Sequence, residues 1–373
     1  MTLIVDLSAL TGYARQLGRA ADNAEAVTGY IAKYSDISTG IGLDTPVGEL
    51  NGIAYEGHRR TASELDSTLG RLTDLLGSST RELTTAAQYY RRTDLVAADA
   101  IDRSLAPVPD RCPTPLEYEV TALTCPPAAF ADSYQITDRL SPPPVPDSPL
   151  NPLAFLDNLS PTSWVVEALQ AVFGFDPISW LMQRLVGDWE GLATMRPVLA
   201  NAADALHDLA LNVQSGATIL NSDWQGNAGA AAYRYFTDLA TAITTLEAPL
   251  KQMCEAYRVM RDAIWAGCEA LGGLLAGIID QAIIVGIMAA AGTVTASTGV
   301  GALVGYGVAA FEIAKMLKLW EKATWIYDEL VAAVLAFRAE IGSGVSDLGN
   351  IRLPQLPGTG YDHPWVSPDG HHG

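Results

Sequence analysis

The sequence has little positive charge. Its 373 residues include 23 lysines and arginines against 42 aspartates and glutamates, which gives a formal net charge of −19. Phosphate groups repel such a chain and no Lys/Arg cluster offsets the repulsion, so the sequence indicates neither nucleic acid nor an anionic lipid surface as a partner. Hydrophobic residues make up 49% of the chain. A chain of this length and composition can bury a core large enough for two domains.

Cysteine is scarce as well, because four residues are too few for a disulfide-built scaffold. Cys112 and Cys125 flank a short loop-like segment, and they form either a disulfide in an oxidising compartment or two unpaired thiols. Cys254 and Cys268 are separated by about 21 Å along one predicted helix, which is too far for a bond, so we expect buried thiols. No CxxC or paired Cys/His spacing predicts a zinc site.

A Sec signal peptide is not recognisable at the start of the chain. No basic segment precedes the apolar residues of MTLIVDLSALTGYARQ, and Asp6 interrupts their short run. If the protein leaves the cell, we expect it to use another route.

Catalytic motifs are also missing, so we expect no enzymatic activity and no cofactor. The histidines form neither an HExxH motif nor a triad-like arrangement: His58, His207, His363, His371 and His372. The glycine-rich GVGALVGYG follows no predicted strand and lacks the lysine of a P-loop. The tail YDHPWVSPDGHHG is typical of a disordered polar end, although its histidines and aspartates leave metal binding open.

The pattern that is present is helical. Apolar residues recur at alternating steps of four and three over 3–35 and again over 57–105, with the loop-like DISTGIGLDTPVGELNG beginning between them. The second run contains no proline and is too long for an ordinary globular helix. The pattern over 1–105 therefore predicts an elongated antiparallel hairpin. No strand-like alternation persists anywhere in the sequence. We therefore expect an all-α fold, an elongated antiparallel helical bundle.

A proline-rich region divides the chain into two helical segments. Repeated prolines over 106–161 favour extended chain, so this region is either a linker or a wrapping segment. The helical pattern returns over 162–341, and Pro249 is expected to kink or divide it. Residues 342–373 are expected to form a flexible Gly/Pro/His tail.

Residues 281–311 contain no charged residue. This run of 31 residues exceeds the roughly 20 that span a bilayer. Its many Gly, Ala, Thr and Ser residues favour two close-packed helices that meet near GTVTASTGVG in the core of a soluble bundle. Membrane insertion remains the alternative.

Two short motifs stand out from the helical background. Tyr90 and Asp94 are four residues apart and are predicted to share one face of the second helix. Trp224 and Gly226 lie in NSDWQGNAGAAAYRYF, a turn between two amphipathic helices. A packing explanation suffices for this turn, since tryptophan caps the core and glycine supplies an unusual dihedral angle. Asp223 or Ser222 is expected to cap the following helix.

The spacing of Trp224 and Gly226, written W-x-G, occurs a second time at Trp189–Gly191. It is followed by helix and then by Pro197, so we expect Trp189 to anchor the start of a helix. Trp224 is preferred as the functional match because amphipathic helices flank it on both sides and small residues follow it.

Together these features resemble type VII (ESX) secretion substrates of the WXG/PE–PPE-like superfamily. The resemblance rests on Tyr90 with Asp94, on Trp224 with Gly226, and on the AGAAAYRYF that follows them. Segment 57–105 looks like the hairpin of small ESX-associated secreted proteins. Segment 162–341 looks like the N-terminal domain of mycobacterial channel-and-toxin proteins.

The resemblance implies a PE/PPE-like fold and a non-enzymatic, actinobacterial, virulence-associated protein. It would be exported folded through a composite YxxxD plus WxG signal and would act at the cell envelope or outside the cell. The membrane ATPase of the secretion machine reads that signal, so we expect 1–105 to pack along 162–341 and to place Tyr90 and Asp94 near Trp224. A dedicated chaperone, a WXG-type partner, a homo-oligomer and membrane contact are further partners that the resemblance leaves open.

Two alternative functions remain at this point. The chain is either the trafficking domain of a polymorphic toxin that lacks its catalytic part, or a pore-forming membrane protein that uses residues 281–311.

Overall fold

The computed structural model describes residues 3–37, 48–122, 129–144, 162–294 and 300–356, with no description of side chains within 291–306. In these ranges the chain forms the following elements: β1 (Ile4–Val5), α1 (Leu7–Ser35), α2 (Glu49–Arg92), α3 (Leu95–Asp102), α4 (Pro115–Thr121), α5 (Ser163–Phe173), α6 (Pro177–Leu185), α7 (Trp189–Asp223), β2 (Trp224–Gln225), α8 (Asn227–Thr244), α9 (Glu247–Val294) and α10 (Val300–Asn350). The all-α prediction is confirmed, apart from the small β1–β2 pair that the sequence did not reveal.

The two predicted helical segments share one bundle. Helix α1 packs on α2 and on α7, α2 also packs on α10, and α7 packs on α8 and α9. One continuous buried cluster joins residues of both segments, among them Leu17 of α1, Leu72 of α2 and Leu206 of α7. Residues 1–105 therefore pack along 162–341, as predicted. The 51 residues of α10 make it about 75 Å long, so the bundle is elongated.

The predicted helix 57–105 is in fact two helices. Helix α2 begins earlier, at Glu49, and ends at Arg92. Thr93 is extended (φ −100°, ψ 143°), and the side chain of Asp94 accepts a hydrogen bond from the Val96 amide to cap α3. The prediction that Tyr90 and Asp94 share one face of a single helix is therefore wrong, because Asp94 begins the next helix.

The described parts of the proline-rich region wrap around the bundle. The side-chain oxygen of Asn212 on α7 accepts hydrogen bonds from the Ser133 and Tyr134 amides, and its amide group donates to the Tyr134 carbonyl. The guanidinium of Arg139 pairs with the buried carboxylate of Asp208 at 2.7 Å. The sequence left open whether this region is a linker or a wrapping segment, and residues 129–144 form a wrapping segment.

The other boundaries follow from packing and from proline geometry. The helix that was predicted to be kinked or divided at Pro249 is divided into α8 and α9. Pro249 itself lies in the first turn of α9, where its missing N–H removes no helical hydrogen bond. The predicted tail begins too early, because α10 continues to Asn350 with Leu348 fully buried. Residues 357–373, with His363, His371 and His372, lie outside the described residues.

The cysteine predictions are partly tested. Cys268 is fully buried and Cys254 is half-buried, and burial raises the pKa of both thiols to about 12. Cys268 is therefore the buried thiol that we expected, whereas Cys254 is only partly buried, and the raised pKa disfavours the reactive thiolate form of both. Cys112 is exposed, and Cys125 lies outside the described residues.

His58 is buried where α1, α2 and α9 meet. Its Nε2 lies 2.9 Å from the carbonyl oxygen of Ser35 and its Nδ1 lies 2.8 Å from the hydroxyl of Tyr257. Because a carbonyl only accepts, Nε2 carries the proton and the Tyr257 hydroxyl donates to Nδ1. Burial lowers the pKa of His58 below its ordinary value.

We expect the free energy of unfolding to fall as the pH drops below about 6.5, the pKa of histidine in an unfolded chain. The unfolded state binds this proton first, so the contribution of neutral His58 is complete above that pH and is lost toward the lower, folded-state pKa. The loss at about pH 5.5 is at most about 1.4 kcal/mol. Urea unfolding on both sides of this interval, at about pH 7.5 and about pH 5.5, measures it. A His58→Gln variant should show a smaller decline, and an equal decline would assign the effect to other groups.

Candidate functional site at the Tyr90–Trp224 junction

Tyr90 and Trp224 are in contact. Tyr90 comes from the last turn of α2 and Trp224 directly follows α7, and their ring centroids lie 6.0 Å apart at an interplanar angle of 79°. Both side chains are buried, with 7% and 3% of their surface exposed. An edge-to-face pair of this kind adds about 0.5–1.5 kcal/mol beyond the burial of area. The predicted proximity of the two motif residues is confirmed.

A strand pair holds the tryptophan in this position. Trp224 leaves the helical conformation (φ −131°, ψ 97°) and β2 pairs antiparallel with β1, so that Val5 lies opposite Trp224 and Ile4 opposite Gln225. The Asp6 amide extends the pairing by donating to the Asp223 carbonyl at 2.9 Å. The role of β1 was not predicted from the sequence. The only local signal of this strand is a pair of β-branched residues, Ile4 and Val5, directly before the aspartate that caps α1.

Gly226 supplies the unusual dihedral angle that the turn was predicted to need. Its φ of +126° is strained for any residue with a side chain. A Cβ at this position would also lie 2.6 Å from Oδ2 of Asp102. Gly226 is therefore required by its backbone conformation and by the close approach of a carboxylate.

Asp102 caps α8 from a distant part of the chain. Its buried carboxylate accepts hydrogen bonds from the amides of Asn227 (2.9 Å) and Ala228 (2.8 Å), the first two residues of α8. A carboxylate is favourable there because it satisfies free N–H groups at the positive end of the helix. The expectation that Asp223 or Ser222 caps this helix is wrong, since both belong to the last turn of α7.

Helix α3 thereby fastens two other segments to the junction. Asp99 accepts a hydrogen bond from the Leu3 amide at 3.1 Å, next to β1, while Asp102 holds the start of α8. The side-chain amide of Asn227 adds donations to the carbonyls of Asp102 and Leu105. The α3 backbone and its two carboxylates therefore set the position of the W-x-G turn.

The four predicted site residues differ in exposure. Tyr90, Trp224 and Gly226 are buried, whereas Asp94 is exposed at the start of α3. Beside it lie exposed apolar side chains, of which Val96 has 78% of its surface accessible. Asp94 and its neighbours are thus accessible to another molecule, as is Gln225 in the middle of the W-x-G turn.

The second W-x-G match has a structural role, as predicted. Trp189 is buried at the first position of α7, and its Nε1 donates to the Leu185 carbonyl at 2.7 Å. Asp188 caps the helix by accepting from the Gly191 amide.

The junction offers carboxylates, aromatic rings and backbone groups that are engaged with one another. Among the described residues no group of three or more His, Cys, Asp and Glu is placed to hold a metal ion. The Nε1 of Trp224 is buried without a hydrogen-bond partner in the described part of the chain, so its indole acts there through shape and ring contacts. A search for matching family models, curated proteins and solved structures finds none.

Proposed function

We propose that the protein is a non-enzymatic substrate of a type VII secretion system with a PE/PPE-like bundle. It is exported folded through a composite signal of Tyr90, Asp94, Trp224 and Gly226 and acts at the cell envelope or outside the cell. The observation that carries the proposal is the ring contact between Tyr90 and Trp224, which brings the two motifs of the resemblance together from positions 134 residues apart in the chain. A composite signal of this kind needs both halves in one place.

The buried and the exposed residues of the signal have different roles. A receptor cannot contact the ring of Trp224 or the backbone of Gly226 without opening the bundle, because both are buried. These residues and Tyr90 therefore position the turn and α3. The membrane ATPase of the secretion system would read the exposed surface that results, formed by Asp94, Val96 and their neighbours.

One chain supplies both halves of the signal. In a two-protein arrangement the Y-x-x-x-D and W-x-G halves come from different partners, whereas here α2 and α7 belong to one buried cluster. We propose that the signal is complete without a WXG-type partner. A dedicated chaperone and a homo-oligomer are additional partners compatible with this export route.

Secretion by an ESX-competent host tests the proposal. Trp224→Ala and Tyr90→Ala should each reduce the protein in the culture filtrate to less than about a tenth of wild type, because losing a buried aromatic ring costs about 3–5 kcal/mol and releases the turn. Trp224→Phe should be exported better than Trp224→Ala, since it keeps a ring against Tyr90 and the Nε1 that it loses has no partner among the described residues. Equal export of wild type and both alanine variants would remove the support for the proposal.

A surface variant separates recognition from folding. Asp94→Ala should block export while the protein stays folded, because Asp94 is exposed and a lost helix cap costs only about 1 kcal/mol. The matched control is Asp176→Ala, which removes the cap that accepts from the Ile178 and Ser179 amides at the start of α6. The two variants should unfold at similar urea concentrations, and only Asp94→Ala should remain inside the cell.

A further inference from the structure

The far end of the α9–α10 hairpin carries no charge. The charge-free run 281–311 is divided by the fold into an α9 arm, 281–294, and an α10 arm, 300–311. Gly277 lies beside Leu319 and Gly267 beside Leu330, a register that places residue 286 at the level of Phe311. The predicted pair of helices is therefore observed, and both arms end together at one tip of the molecule.

Large apolar side chains near this tip are exposed, although the smaller Ala282, Val285 and Ala309 beside them are buried. Ile287 has 58% of its surface accessible and Phe311 has 61%. Within Asn227–Ala290, the continuous stretch that contains α8 and most of α9, an 18-residue window has a mean hydropathy of 2.0, yet only 22% of it is buried. The central helix of a soluble bundle would bury most of such a window. Here most of this apolar window lies at the surface, and exposed apolar surfaces of this kind are typical of interaction sites.

Positively charged side chains lie next to the tip, although lysines are rare in this acidic protein. Three of its five lysines, Lys315, Lys318 and Lys322, follow the charge-free run within about one to three turns, and all three are exposed. Glu312, the carboxylate closest to the tip on α10, is buried and paired with Lys315 at 2.9 Å. Over 312–322 of α10 the three lysines outnumber the two carboxylates, Glu312 and Glu321, although the whole chain is acidic and Asp280 precedes the run on α9.

A tryptophan side chain lies at the level of the tip. Trp164 of α5 rests against Gly286, which is level with Phe311, and 44% of its surface is exposed. Lysine and tryptophan together at the edge of an apolar segment are typical of the boundary between lipid headgroups and hydrocarbon, where long cationic side chains reach toward phosphate.

We propose that the tip of the α9–α10 hairpin inserts into a lipid bilayer, with Lys315, Lys318 and Trp164 at the headgroup level. The 14 residues of the α9 arm extend about 21 Å, whereas the hydrocarbon core is about 30 Å thick, so the tip enters the bilayer without crossing it. The fold thus favours an anchoring hairpin over a single span through 281–311. The net charge of −19 favours a bilayer of zwitterionic lipids over an anionic one.

Flotation of the purified full-length protein with phosphatidylcholine vesicles tests insertion. Wild type should float with the vesicles, and Ile287→Asp and Phe311→Asp should each lower the bound fraction by about ten-fold, because a carboxylate is strongly disfavoured in hydrocarbon. The matched control is Val259→Asp, which places the same charge at an exposed site of α9 far from the tip. All three positions are exposed, so the variants should fold like wild type.

The position of Trp164 gives a second measurement. Tryptophan fluorescence should be quenched by phosphatidylcholine brominated near the headgroup, and a Trp164→Phe variant should lose most of that quenching while still floating. Trp325→Phe is the matched control, since Trp325 lies about 21 Å farther along the hairpin, and it should keep the quenching. Wild type that stays with the unbound protein, or tip variants that float as well as wild type, would overturn the proposal. So would a wild-type dimer that Ile287→Asp converts to a monomer without any vesicle binding, since a second copy would then cover the tip.

Discussion

Replacing Gly226 with alanine is expected to block export and to lower the free energy of unfolding by about 3 kcal/mol, because two costs of about 1–3 kcal/mol coincide. The first is backbone strain, since φ is +126°. The second is steric, since the new Cβ would lie 2.6 Å from the Asp102 carboxylate that caps α8. Moving Asp102 away would uncap the helix and shift the turn that carries Trp224. Urea unfolding and the amount of secreted protein measure the two effects.

Gly174 provides the matched control for this prediction. It also has a positive φ, +79°, at the end of α5, but nothing lies within 4 Å of the site that a Cβ would occupy. Gly174→Ala should therefore incur only the backbone strain, about 1 kcal/mol, and should be exported normally. Equal destabilisation by the two substitutions would show that the contact with Asp102 contributes little.

A double variant isolates the contact itself. Asp102→Ala alone removes two hydrogen bonds to α8 and should cost about 1–2 kcal/mol. It also makes room for the Cβ, so the Gly226→Ala/Asp102→Ala protein should be less destabilised than the sum of the single variants. Simple additivity would contradict the close approach seen at this turn.

The helical architecture follows from the spacing of apolar residues because each long helix buries one stripe. Leu65, Leu69, Leu72 and Leu76 on α2 are all almost completely buried, as their steps of four and three require. The predicted end of α2 was wrong, because the apolar pattern continues past Arg92 without proline or glycine. The local signal was Asp94, a strong helix-capping residue that was read only as part of a motif.

The architecture of the candidate site was only half predictable. Tyr90, Trp224 and Gly226 carry recognisable spacing, and the need for glycine follows from local backbone geometry. Asp99 and Asp102 carry no such mark, because their partners, Leu3 and Asn227, lie 96 and 125 residues away. A carboxylate that caps a remote helix looks in sequence like any polar residue on an exposed helix face.

The wrapping of the proline-rich segment was open in the sequence for a related reason. Composition predicts extended chain but does not say where it lies. The deciding groups are Asn212 and Asp208, two buried polar residues on the apolar helix α7, which bond to Tyr134 and Arg139 of the segment. Buried polar side chains need partners, so such residues on a core-facing helix are evidence for a covering segment.

Substituting alanine at two helical glycines should produce effects of opposite sign. Gly216 of α7 faces α1, where a Cβ would lie 2.1 Å from Oε1 of Gln16 and 2.4 Å from Cε2 of Tyr13. Tyr13 is fully buried, and its hydroxyl donates to the Val213 carbonyl, so it cannot move aside without breaking that bond. We expect Gly216→Ala to cost about 2–3 kcal/mol through overpacking.

Gly29 on α1 is the counterpart, because it is exposed and a Cβ there would have no neighbour within 4 Å. Gly29→Ala should stabilise the protein by about 0.5–1 kcal/mol by restricting the unfolded chain. Urea midpoints of the two variants should therefore move in opposite directions from wild type. Because Gly216 sets the distance between α1 and α7, and α7 leads directly into Trp224, export should fall only for Gly216→Ala. A Gly216→Ala protein with wild-type stability would mean that α1 and α7 approach less closely than the Tyr13 contact requires.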